Sequence, residues 1–268
     1  MKHALIDHFS LILRRYQGVL IGSILLLCAT VTPASWEAPM PPPLPRPLVH
    51  LPPTHPWVAF TFDDGPHPVW TEKLLQVLRD QDIPATFFVV GKMVERRPDL
   101  LQAIADDGHE IENHTYSHHS MSRLESDDVL SELDKTRNVI RKVTGRDSIL
   151  FRPPGGDYTR QTVRTASKAG YKMVLWSVLT NDVEGATRAM VRRRVLKGTD
   201  DGAIILMHSG VQSTLDVLPE LAAELRRRGY HFVTVSTMLG LPAQNYDRMP
   251  APVQTAQASA SPPTSLPK

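Results

Sequence analysis

Two clusters of side chains in this chain have the types and spacing to do chemistry. The first is Thr61-Phe62-Asp63-Asp64-Gly65-Pro66, where two adjacent carboxylates end an apolar run that Gly-Pro stops. The run Val58-Ala59-Phe60-Thr61-Phe62 is dense in β-branched and aromatic residues and reads as a buried strand. Side chains alternate along a strand, so Asp63 and Asp64 would diverge within one. In the turn that follows both can be steered to one rim, one carboxylate binding a metal and the other staying free as a base. The second cluster is His114-Thr115-Tyr116-Ser117-His118, directly after a strand-like run. Two histidines four apart share a face if the turn between them is helical, and two imidazoles then reach one ion. One Asp oxygen and two His nitrogens leave positions open on a divalent ion, the catalytic pattern and not the structural one. Taken alone, each cluster also has a plainer reading, an Asp-Asp turn with a helix cap beyond it and a solvated histidine pair.

The elements that must position these groups alternate between residues 57 and 240. Strand-like runs are 58–62, 85–90, 109–113, 149–152, 172–178, 203–207 and 231–235. Helix-like stretches among them include 71–79, 98–105, 127–143, 160–168 and 214–228. In the third helix Leu130, Leu133, Arg137 and Ile140 follow an amphipathic spacing with only Arg137 off pattern, and Ser126 is placed to cap it. Repeated strand-helix units imply parallel strands with right-handed crossovers, so the fold class is α/β, a barrel or a doubly wound sheet. In both, active sites form at strand C-termini, where Asp64 and His114 stand. No glycine-rich phosphate loop follows any strand, which counts against dinucleotide binding. Trp176 lies within a strand run and is expected in the core rather than as a sugar platform.

Composition narrows the partners. The chain has 268 residues, with 30 Lys and Arg against 28 Asp and Glu, a net charge of +2 that argues against nucleic acid. The runs Arg192-Arg193-Arg194 and Arg226-Arg227-Arg228 fall in segments of helical character and read as solvated faces. Cys28 is the only cysteine and lies in the N-terminal apolar segment, so disulfides, thiolate catalysis and Cys-rich zinc sites are excluded from the folded part. Residues 1–36 carry Arg14 and Arg15 before an uncharged apolar stretch and read as a signal peptide or a single-pass membrane anchor. Positive charge before that stretch favours export of everything after it. Residues 37–56 are crowded with proline and read as a semi-rigid linker, 57–240 as the catalytic domain, and 241–268 as a disordered tail. The sequence fixes no oligomeric state.

Over residues 57–240 the chain resembles the polysaccharide deacetylase family, the NodB-homology domain of carbohydrate esterase family four. The motifs that carry the resemblance follow in order: Thr61 to Pro66, His114 to His118, Arg152-Pro153-Pro154, Asp182, and Leu206-Met207-His208. The resemblance implies a deformed (β/α) barrel of about seven parallel strands. It also implies that Asp64, His114 and His118 hold the metal and that Asp63 is the base, oriented by Arg152. His208, tuned by Asp182, would be the acid that protonates the leaving amine, and a backbone N–H near Gly155 would help hold the oxyanion. Mixed N and O ligands suit zinc, with cobalt, nickel, manganese or iron able to serve. The implied activity is hydrolysis of N-acetyl groups from an amino-sugar polymer in the cell envelope or periplasm: peptidoglycan, an exported polysaccharide or a chitin-type glycan. Departures from the family pattern bear on substrate: Gly155-Gly156 replaces a tyrosine-containing end, Leu179 an Asp, Val183 a Trp, and Glu112 a frequent glycine. They leave two rival readings, a metal-dependent amidase or esterase on a non-carbohydrate acyl group and a glycan-binding envelope protein without catalysis.

Overall fold

A computed structural model of the chain describes residues 43–51, 55–183 and 185–241. The expected signal or anchor at 1–36 and the tail from 242 onward lie outside the described residues. No helix among the described residues is long and apolar enough to cross a membrane.

The centre of the fold is β1 (Trp57–Gly65), whose residues from Val58 to Asp63 are all buried. Val58, Phe60 and Phe62 pack into the large cluster under the helices, whereas Ala59 belongs to a second cluster on the opposite face. That two-sided burial is why the run is apolar throughout rather than alternating. On one edge β1 pairs with β7 (Ala203–His208), in a register that sets Asp63 beside His208. On the other it pairs with β2 (Thr86–Val89) and, at Trp57 and Val58, with β8 (His231–Phe232). Beyond β2 follow β3 (Glu110–Asn113), β4 (Leu150–Phe151) and β5 (Lys172–Met173), and beyond β7 follows β6 (Val178–Leu179). All of these pairings are parallel.

The described residues therefore hold eight strands where about seven were expected. The extra one arises because the run at 172–178 splits into β5 and β6, which end up on opposite edges of the sheet. Only Val174 to Ser177 separate them, so the sheet curls into a half-barrel whose two edges face each other across a seam. Part of the stretch expected as a spacer lies on that seam: Leu48 bridges to Val174, and the Leu51 N–H reaches the Gly202 carbonyl at 3.2 Å. Leu48 and Leu51, upstream of β1, are therefore hydrogen-bonded to the sheet and its edge loop.

The helices are α1 (Thr71–Asp80), α2 (Gly91–Arg96), α3 (Pro98–Asp106), α4 (Ser126–Thr144), α5 (Arg160–Lys168), α6 (Arg188–Gly198), α7 (Gln212–Arg227) and α8 (Val235–Met238). The sequence gives no clear start for α2 and α8, which are too short for a periodic apolar stripe. On α4 the buried stripe is Val129, Leu133, Thr136 and Ile140: Leu133 and Ile140 are as expected, Val129 and Thr136 stand in for Leu130 and Arg137, and Leu130 is only half-buried. Ser126 does not cap α4; Glu125 holds the cap position, and the Ser126 hydroxyl instead accepts hydrogen bonds from Gln161 and Thr165 of α5. The arginine runs also do more than face solvent. Arg194 donates to the Thr180 and Asn181 carbonyls, Arg226 to those of Gln81 and Asp82, and Arg228 to that of Leu196. Because Leu133 is fully buried and Leu130 is not, Leu133→Ala should cost about 2–5 kcal/mol of stability and Leu130→Ala about 1 kcal/mol or less, read from urea unfolding midpoints.

Candidate metal and catalytic site

Asp63 and Asp64 converge because the register of β1 against β2 shifts between Phe62 and Gly65. Asp63 keeps its β1 register, whereas Asp64 adopts a left-handed backbone with φ of 68° that swings its carboxylate to the same rim. Gly65 follows because there is no room for more: a Cβ there would stand 2.9 Å from the Ser209 hydroxyl oxygen. His114 leaves β3, but the turn to His118 is not helical. Thr115 at φ 66° and His118 at φ 59° fold the loop back instead. Left-handed non-glycine residues each cost roughly 1–3 kcal/mol and persist only where neighbours hold them. Here the Asn113 side chain accepts from the Thr115 N–H, and the Glu132 carboxylate on α4 accepts from the Tyr116 and Ser117 N–H groups. Neither Asn113 nor Glu132 stands out in the sequence, since each acts only through the folded loop.

The result is a compact set of ligand atoms. His118 Nε2 lies 3.0 Å from Asp64 Oδ1 and His114 Nε2 lies 3.3 Å from it. Atoms bonded to one tetrahedral ion at 2.0–2.2 Å stand about 3.3–3.5 Å apart, so the three fit a zinc-like ion. The tautomer fits too. His114 Nδ1 is 2.8 Å from the Arg152 carbonyl, which can only accept, so Nδ1 donates there and Nε2 is the ring nitrogen left to ligate an ion beside Asp64. Asp64 Oδ1 is itself buried without a well-formed hydrogen bond, an acceptor left for a cation. Burial would raise the Asp64 carboxyl, but the two imidazoles outweigh it and hold it well below the usual carboxylate range.

Arg152 binds this group to Asp63. It has no exposed surface, and its Nη1 donates to Asp63 Oδ1 at 2.7 Å and to Thr61 Oγ1 at 2.8 Å. Nη2 donates to the Leu175 carbonyl at 2.9 Å, and the guanidinium lies 4.1 Å over the Phe88 ring. Burial lowers its pKa, which the Asp63 charge opposes. The second carboxylate oxygen of Asp63 faces His114 Nε2 at 3.8 Å.

On the other side of β1, His208 is held by Asp182. The Asp182 carboxylate accepts from His208 Nδ1 at 2.8 Å, from the His208 N–H at 2.9 Å, and from the Thr180 and Thr214 hydroxyls. Burial pulls the His208 pKa down, and the Asp182 hydrogen bond and charge more than offset it, so the net shift is upward. Thr180 and Thr214 were not singled out from sequence, where isolated hydroxyls carry no periodic or motif signal.

Among the remaining positions, Gly155 follows Pro154 in a short 3-10 turn with φ of 62° and is exposed, and its N–H has no hydrogen-bond partner among the described residues. Leu179 and Val183 are exposed at 50% and 49%, so two apolar side chains flank the Asp182 loop. Trp176 is half-buried rather than in the core proper, its ring 5.7 Å from the Arg152 guanidinium. Glu112 is fully buried and accepts from the Ile149 and Leu150 N–H groups, which ties β3 to β4 two residues before Arg152.

Comparison with known proteins follows from this geometry. A family model described as polysaccharide deacetylase matches residues 50–174, a span that ends before Asp182 and His208. A peptidoglycan-N-acetylglucosamine deacetylase of Bacillus cereus is 36% identical over 187 residues, covering 68% of this chain and 87% of that protein. The crystal structure of the Bc1960 peptidoglycan N-acetylglucosamine deacetylase superposes with a TM-score of 0.72 at 31% identity, covering 74% of this chain and 94% of the other. BA3943 from Bacillus anthracis, a CE4 family pseudoenzyme, superposes with a TM-score of 0.70 at 28% identity, covering 73% and 69%.

Removing either partner of a buried ion pair strands the other charge. Arg152→Ala should therefore lower stability by about 3–5 kcal/mol, measured by denaturant unfolding in the presence of chelator so that any metal contribution is absent.

Proposed function

The chain belongs to the polysaccharide deacetylase family, and from that membership and the site geometry we propose that it hydrolyses N-acetyl groups from an amino-sugar polymer, with peptidoglycan the first candidate. The observation that carries this reading is the convergence of Asp64 Oδ1, His114 Nε2 and His118 Nε2 beside a buried Asp63–Arg152 pair and an Asp182-backed His208. BA3943 warns that the fold alone does not make a catalyst. This chain, however, carries a complete set of groups for the reaction, each with a partner that orients it.

Asp64, His114 and His118 would hold a divalent ion, zinc in our reading, which when bound would supply Lewis acidity and lower the pKa of the attacking water. Asp63 would accept the proton from the attacking water, and Arg152 aims its carboxylate by donating to Oδ1. His208 gives a proton to the leaving amine from Nε2, since Nδ1 is committed to Asp182. The Gly155 N–H stabilises the developing oxyanion, with no side chain to obstruct it. Export through residues 1–36 puts the domain where peptidoglycan is. Exposed Leu179 and Val183 in place of polar and aromatic groups support a second reading, a smaller or more apolar acyl amide as substrate.

Purified protein loaded with zinc should release acetate from peptidoglycan or acetylated chitooligosaccharides, stop with chelator and recover when zinc is restored. Acetate from small amides but from neither glycan would move the assignment to the second reading. Asp63→Asn should lower kcat by roughly 10²–10⁴-fold, and wild-type activity in that variant would sink the proposed mechanism. Asp182 raises the His208 pKa, so its removal lets His208 lose its proton at lower pH. The alkaline limb of the kcat profile should accordingly shift to lower pH in Asp182→Asn.

A further inference from the structure

We propose that residues 44–51, upstream of every recognised motif, position the catalytic base by fixing the peptide that seats Arg152; this rests on the reading of Asp63 as base. The segment Leu44-Pro45-Arg46-Pro47-Leu48 is proline-rich, so it is extended before it docks and has few N–H groups to offer. Leu48 uses both of its main-chain groups. Its N–H donates to the Met173 carbonyl at 2.8 Å, and its carbonyl accepts from the Leu175 N–H at 2.6 Å. These bonds bracket Val174, which is fully buried and held on its other side by an N–H donated to the Phe151 carbonyl at 2.9 Å.

The peptide fixed in this way carries the Val174 carbonyl, 3.4 Å from Arg152 Nε, and the next carbonyl along the chain, that of Leu175, receives Nη2 at 2.9 Å. Arg152 is fully buried, so water does not stand in for a carbonyl that moves. If the Val174 and Leu175 peptide shifts into the seam, the guanidinium follows it or loses a partner, and Asp63 Oδ1 loses its orienting donor. A second attachment keeps the segment from sliding. The Leu51 N–H bonds the Gly202 carbonyl, His50 Nε2 lies 3.0 Å from Asp200 Oδ1, and Leu51 is buried beside Val174 and Ile204. Gly202 has φ of 86°, and a Cβ there would stand 2.5 Å from the Leu51 carbonyl oxygen. Leu48 is thus a positioning residue, acting on the chemistry through Arg152.

The test uses the full chain, with Leu48→Pro removing a seam hydrogen bond from within the segment and Gly202→Ala pushing it off from outside. Each variant should lower kcat about 10-fold or more, with KM and bound zinc per chain unchanged, when assayed well below its own unfolding temperature. Placed on an Arg152→Lys background, Leu48→Pro should have little further effect on kcat, because both act through one contact. A lower unfolding temperature with unchanged kcat in both variants would show that the segment only stabilises the fold. Full additivity with Arg152→Lys would also overturn the proposal. A wild-type protein that releases no acetate would count against the deacetylase reading, not against this coupling. The coupling would then be read from the Arg152 Nε–H NMR signal, which Leu48→Pro should shift and expose to solvent exchange if the segment seats the guanidinium, and leave unchanged if it does not.

Discussion

A guanidinium with no exposed surface is the constraint on which this structure turns. Removing such a charge from water costs several kcal/mol even after the protein relaxes, and attraction to one carboxylate does not reliably repay it. Arg152 is tolerated because Asp63, Thr61, Leu175 and the Phe88 face surround it. An apolar residue of similar volume would fill the barrel interior at lower cost. The arrangement makes sense as a device for holding one carboxylate in one orientation. The Arg152 carbonyl extends the same device to His114, so a single residue sets both the direction of the base and the tautomer of a candidate ligand.

Backbone geometry shows where the fold accommodates this site. Asp64, Thr115, His118 and Asn181 all have left-handed φ, and all lie in or directly beside the site. Sheet and helix regularity would spread these side chains over different faces. Local distortion gathers them, and the cost is borne by neighbours such as Asn113 and Glu132, whose side chains replace lost main-chain partners.

Much of this was legible in the sequence. The dipeptide Asp63-Asp64 at the end of an apolar run, the His114 and His118 pair after a strand, and the alternation of strands and helices all reflect local periodicity, and the ordered motifs pointed to one family. What was not legible depends on distant contacts. Whether 172–178 forms one strand or two is decided by closure of the sheet, not by its own apolar content. Ser126 looks like a cap until α5 arrives to use its hydroxyl. On α4, Leu133 and Ile140 are buried as the spacing implies, but Val129 and Thr136 take the places of Leu130 and Arg137, and Arg137 lies over the Tyr171 ring instead. Thr180 and Thr214 are recognisable as parts of the site only once the Asp182 carboxylate they donate to is in place.

The register of β1 has an evolutionary consequence. The candidate ligands His114 and His118 and Arg152 lie toward β3 and β4, whereas His208 and Asp182 lie toward β7 and β6, with β1 as the wall between. Among the described residues no side-chain hydrogen bond joins the two groups. Selection can therefore act on the contacts of each group separately but not on their charge: the Asp63 and Asp64 carboxylates help raise the His208 pKa across the strand, so a charge lost on one side is felt on the other.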